Sequence, residues 1–170
     1  MTEPRIPLVD VPQDVLDALV DIGAPAAVKD APPYRALANH PPALRGWGEL
    51  SWRLRQAAAP GRLRELAIIR ISMLAGVESE RQAHEHIALS RSWLSQAEID
   101  QIPDWRTNRS LSTEDRAVLE FSDAVFAGEA PEAVVRRLTE LFDSAAVVDI
   151  VVTCGFYLML TRVSRALGTA

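Results

Sequence analysis

The sequence predicts an all-α fold. Three observations carry this. Apolar residues recur at helical spacing, Pro and Gly punctuate the chain between the periodic stretches, and no convincing run of alternating residues appears.

Residues 1–33 hold many of the prolines and no long period. They read as an N-terminal arm with one short helix, Gln13–Ile22, opened by Asp10 or Pro12. Such an arm either wraps a neighbouring subunit or stays a loosely ordered tail. Residues 34–170 read as one helical domain. Tyr34–Asn39 makes a short helical turn, and Pro41–Pro42 opens a helix over Ala43–Ala58 with Leu44, Trp47, Leu50 and Leu54 at helical spacing. Pro60–Gly61 breaks the chain, and helices are expected at Arg62–Ala75 and, beyond Gly76, from Glu78 to Trp93. Ser95 with Glu98 has capping-box spacing before a short helix at Gln96–Gln101. Residues 103–111 read as a loop. Ser112 with Asp115 repeats the capping spacing ahead of Thr113–Ala127, which Gly128 ends. A further helix runs from Pro131 to Phe142, and the last from a cap at Asp143 or Ser144 to about Leu167.

A chain of 170 residues, 48% hydrophobic and 24% charged, has the balance of one globular domain with a real core. A net charge of −5 gives no electrostatic reason to bind nucleic acid. Cys154 is the single cysteine, so no intramolecular disulfide can form. The N-terminus lacks a basic stretch followed by an apolar one, and the chain reads as cytoplasmic. The apolar run Ala145–Leu160 is interrupted by Asp149 and is short for a membrane span. It reads as a buried helix or a subunit contact, and no membrane association is expected.

Polar chemistry concentrates in Arg64–His84. At about 100° per residue, the apolar side chains of Arg62–Ala75 point in all directions, which marks a buried helix. Glu65 is embedded there, with Ile68, Ile69 and Ser72 on its own face. A buried carboxylate needs a partner, a raised pKa, or both. Alternatively Glu65 sits in the first turn, where the helix dipole favours it. Glu80 and His84 lie one turn apart on the next helix, beside an apolar stripe of Ala83, Ile87 and Leu94. Taken alone they also fit a surface i,i+4 pair. His86 is about 200° from His84 and cannot easily serve the same site. Two carboxylates around one imidazole suit general acid–base work, with His84 moving the proton, Glu65 orienting it or supplying the acid, and Glu80 tuning or positioning the pair. The same set is sparse for a metal, and none is expected. Asp149, Thr153 and Tyr157 form a fainter polar line on the last helix, with Arg162 beyond it. That line edges a pocket, settles an interface or satisfies itself. Arg81, Asp149, Tyr157 and Arg162 are the expected substrate contacts.

These residues resemble the carboxymuconolactone decarboxylase family, whose fold is shared with alkyl hydroperoxidase D. The resemblance is carried by Arg64-Glu65-Leu66, Gly76, Glu80 and His84, the last standing 19 positions after Glu65. Upstream, Tyr34-Arg35-Ala36-Leu37 precedes His40-Pro41 and Trp47; downstream, Gly155–Tyr157 and Arg162 fit the family's C-terminal helix. The match covers about residues 34–168. It implies a compact helical bundle, a homo-oligomer (commonly a trimer or hexamer) and a small-molecule substrate handled without a cofactor. The peroxidase branch carries cysteines where this chain has Val77 and Glu80, so thiol peroxidase activity is not expected. The non-thiol branch often reads Tyr-Glu-Trp where this chain has Ser79-Glu80-Arg81, and many relatives place Gly where Trp93 stands. The expected activity is acid–base chemistry on a small organic acid or lactone, such as decarboxylation, elimination or isomerisation. A non-catalytic helical oligomer that binds a small molecule or protein, and a metal-dependent lyase or oxygenase, are the alternatives.

Overall fold

The computed structural model describes residues 3–107 and 110–170. Among them all regular structure is helical: α1 (Gln13–Asp21), α2 (Pro32–Leu37), α3 (Pro41–Arg53), α4 (Gly61–Ala75), α5 (Glu78–Ser90), α6 (Gln96–Ile99), α7 (Thr113–Ala127), α8 (Glu132–Leu141) and α9 (Ser144–Leu167). Short 3₁₀ turns at Ala26–Asp30 and Leu54–Gln56 complete the set. The all-α expectation holds. The helix expected over Ala43–Ala58 ends at Arg53 and tightens into the second 3₁₀ turn, the usual way a helix end closes on its last carbonyls. The expected loop 103–111 consists of turns and bends over its described part; residues 108 and 109 lie outside the described residues.

The chain divides into two compact units. The first comprises the chain through Gln56 together with Arg162–Ala170. Here α1 buries Val15, Leu16 and Leu19 in a cluster with Val28 and Leu44. The segment before α1 is tied down by polar contacts. Arg35 donates to the Leu8 carbonyl at 3.1 Å, and the Arg5 amide donates to Leu167 at 2.9 Å.

The second unit, Ala57–Thr161, is organised around α4. Leu63, Leu66, Ala67, Ile68, Ile69 and Ile71 are all buried, as an all-round apolar helix requires. α4 packs against α5 and α7. Gly76 ends it at φ +63°, a conformation that costs an ordinary residue about 1–2 kcal/mol. The Gly76 and Val77 amides donate to the Met73 and Ser72 carbonyls, which closes the helix and turns α5 back along it.

The two capping boxes form as their spacing predicts, at Ser95/Glu98 and Ser112/Asp115. One residue joins them. The Arg62 guanidinium, on the first turn of α4, donates to both oxygens of Asp115 at 3.0 and 2.7 Å and to Glu98 at 2.8 Å. A single cation thus locks the starts of α6 and α7 to the start of α4. Removing it in Arg62→Ala leaves Asp115, 2% exposed, without its counter-charge. We expect a loss of about 2–3 kcal/mol in chemical denaturation.

The same network sets an acid limit. The Ser95 amide, Arg62 and the Ser95 hydroxyl hold the Glu98 carboxyl at about 2, below its ordinary 4.5. Its folded pKa lies below the unfolded one, so its contribution is full above about 4.5 and fades as pH falls toward 2. Stability measured from pH 6 to 2 should fall less steeply in Glu98→Gln than in the wild type.

Candidate active site

α4 and α5 together build the site. Glu65 projects from the buried α4 and is 1% exposed. Its Oε2 lies 2.6 Å from His84 Nδ1, and its Oε1 accepts from Arg64 Nε at 3.2 Å. Both oxygens of this carboxylate are therefore partnered, and the need for a partner that its apolar setting created is met. His84 is itself buried, and its Nε2 faces Glu80 Oε1 at 3.4 Å, one helical turn earlier on α5. The Glu80 side chain is 24% exposed and connects the imidazole to solvent. Tyr157, buried on α9, stands edge-on to the imidazole, with ring centroids 5.0 Å apart and planes at 86°. Phe156 backs Tyr157 at 5.5 Å.

The electrostatics follow from this geometry. Burial alone would push the His84 pKa down, because it disfavours the cation. The hydrogen bonds to Glu65 and then Glu80 outweigh it, and the pKa rises above 6.5. A neutral imidazole carries one N–H, whereas carboxylates stand at both ring nitrogens here. The imidazolium is the form that satisfies both. The two carboxylates flank opposite nitrogens that point away from each other. Among the described residues no group of three His, Cys, Asp or Glu side chains is placed to hold a metal ion.

The structure thus brings Glu65, Glu80, His84 and Tyr157 together. The other expected substrate contacts have other surroundings. Arg81 donates to Glu85 at 2.6 Å and to both oxygens of Glu78 along the outer face of α5. Asp149 accepts the backbone amides of Ala58 and Ala59, anchoring the entry to α4 on α9. Arg162 is exposed and belongs to the first unit. His86 is also exposed. Cys154 is fully buried beside Ser122 Oγ at 3.6 Å, and burial pushes its thiol up to about 12. Two arginines carry more than the sequence signals. Arg70 is buried within α4 and grips Asp123 at 2.6 Å. Arg64 stands out only as part of the Arg-Glu-Leu motif, yet it closes one side of the Glu65 carboxylate.

The raised His84 pKa gives a signed expectation. A group whose folded pKa exceeds its unfolded value stabilises fully below the unfolded value, near 6.5, and loses that contribution as pH rises through the folded one. The stability difference between wild type and His84→Gln should therefore shrink between pH 6 and pH 9. Titration of the His84 ring by NMR should place its midpoint above 6.5.

No protein-family model matches the sequence, and no curated protein matches it. Solved structures do match. A protein of unknown function from Agrobacterium tumefaciens, proposed to be the antioxidant defence protein AhpD, aligns with TM-score 0.70 and 22% identity over 77% of this chain and 91% of its own. The debrominase Bmp8, without ligand, aligns with TM-score 0.74 and 15% identity over 94% and 89% of the two chains. A cysteine-to-alanine variant of Bmp8 in complex with 2,3,4-tribromopyrrole aligns with TM-score 0.75 and 16% identity over 97% and 91%. At these identities the likeness establishes architecture: the chain has the AhpD-like all-helical fold.

Proposed function

We propose that this protein is a cofactor-independent acid–base enzyme acting on a small organic acid or lactone, by decarboxylation or a related elimination or isomerisation. One observation supports it above the others: a buried imidazole held between a fully partnered carboxylate and a partly exposed one. In a decarboxylation, the C–C bond to the leaving carboxylate breaks and its electron pair stays on carbon. His84 Nε2–H then protonates that carbon as CO2 departs. The neutral ring regains its proton from solvent through Glu80. Glu65 keeps the Nδ1–H oriented throughout, and Tyr157 fixes the ring edge-on. No electrons leave the system and no second substrate is consumed. The chain's one thiol is buried and reluctant to ionise, which disfavours thiol-dependent chemistry here.

We also propose that the active form is a homo-oligomer, a trimer or hexamer as the family resemblance implies, joined through α9. Val148, Val151 and Met159 are exposed on that helix at 59%, 39% and 40%. A Cβ at Gly155 would meet nothing within 4 Å. An apolar helix face left open in this way is an interaction surface by default. A single buried cysteine accords with a reducing, cytoplasmic setting.

His84→Ala should lower kcat about 10²–10⁴-fold, the usual contribution of a general acid–base group. Glu65→Gln, which keeps shape but removes the ionisable oxygen, should be damaging too. Cys154→Ser should leave turnover near wild type. Wild-type kcat in folded His84→Ala would rule out this mechanism. A stable monomer by light scattering at micromolar concentration would rule out the α9 assembly.

A further inference from the structure

We propose that Arg64 receives the carboxylate of a planar anionic substrate, holding it beside the Glu65–His84 pair and against Trp93. The proposal deepens the acid–base reading above and rests on it for the chemistry that follows binding.

Its basis is a cation whose terminal donors are unused. A guanidinium has five N–H donors. Arg64 uses only Nε, toward Glu65 Oε1 at 3.2 Å; Nη1 and Nη2 have no protein partner among the described residues. The side chain is only 12% exposed. Yet neither terminal nitrogen is sealed in: among the described residues the Ser72 hydroxyl is the one buried side-chain polar atom without a partner. A mostly buried arginine whose terminal nitrogens are unpaired and not sealed off is a half-made carboxylate site, because two parallel N–H groups match two carboxylate oxygens.

The neighbouring cations are differently engaged. Arg62 is spent on Asp115 and Glu98, and Arg81 on Glu78 and Glu85. Glu65 neutralises Arg64 only in part, because the same carboxylate also serves His84. The aromatic side comes from Trp93. The Arg64 Cζ lies 5.4 Å from its ring centroid, and the exposed Arg91 lies 6.0 Å from it. The indole is fixed in place by α4 itself, since a Cβ at Gly61 would come within 2.5 Å of its ring. A cation and a fixed indole beside the Glu65–His84 pair suit a flat, conjugated acid, which can stack while its carboxylate is held.

The test uses benzoate and benzamide as probes on the full chain. They are nearly the same shape and differ in charge. Binding is followed by calorimetry and by the NMR signals of the Trp93 indole N–H and the His84 ring. We expect saturable benzoate binding that shifts both signals, with benzamide at least about tenfold weaker. Arg64→Gln should weaken benzoate about 10- to 100-fold, the range for a lost charge-assisted pair, and leave benzamide unchanged. A merely structural Arg64 would weaken both probes alike, which overturns the proposal. So would equal affinity for the two probes in the wild type, an absence of saturable benzoate binding, or binding that moves neither signal. The wild-type comparison decides the matter even where the variant does not fold. Failure of His84→Ala to lower turnover would instead strike the acid–base reading and leave the anion result standing.

Discussion

The contact between Glu65 and His84 is the constraint on which the second unit depends. α4 is apolar on every face, and a carboxylate placed inside it is tolerable only when both oxygens are satisfied. Arg64, its chain neighbour, reaches one oxygen. The other must be met from a different helix, and α5 supplies the imidazole at 2.6 Å. That requirement fixes the register of α5 on α4, because a shift of one residue would carry His84 about 100° around its helix. Breaking a buried pair by removing one partner typically costs about 3–5 kcal/mol, because the other charge is left uncompensated. The site and the helix pairing are therefore one interaction seen from two sides.

The remaining polar groups of α4 hold the frame around that pair. Arg62 gathers the capping acids of α6 and α7. Arg70, two helical turns further along, binds Asp123 on α7, which also accepts from the Trp105 indole at 3.1 Å. Asp149 on α9 captures the amides that lead into α4. Each contact links α4 to a segment far away in sequence, and none depends on a mobile surface side chain alone. Such a frame would hold the proposed proton donor in one orientation, which general acid catalysis needs.

What the sequence revealed and what it concealed divide along the same line. Local signals were legible. The capping boxes placed α6 and α7, with α7 running over the expected residues, and Gly76 marked the reversal between α4 and α5. The face shared by Glu80 and His84 followed from i,i+4 spacing, and the need for a Glu65 partner from its apolar surroundings. Long-range pairings were not legible. Asp149 looked like part of a polar line along α9, but its partners are amides 90 and 91 residues away. Arg81 looked available, but its own turn neighbours claim it. Nothing in the sequence near Arg70 points to Asp123, 53 residues away, which it binds. The short helix expected in the first 33 residues was legible, but the contact of its buried face with Leu44 was not. Periodicity reports which face is apolar, never which distant group arrives to meet a charge.

On the proposed acid–base reading, the direction of proton flow follows from the two ends of the imidazole. Carboxylates at both nitrogens favour the cation, so in the proposed reaction the ring's first act is to give a proton rather than take one. Nδ1–H cannot be the proton given, because its acceptor is sealed and already shared with Arg64. Nε2–H can, since its contact with Glu80 is longer and Glu80 is partly in solvent. This favours reactions that generate negative charge on carbon and then require a proton there, over reactions that begin by abstracting one. Loss of CO2 is of the first kind. In the proposed reaction Glu80 need not attack anything, only return the proton that His84 has given away.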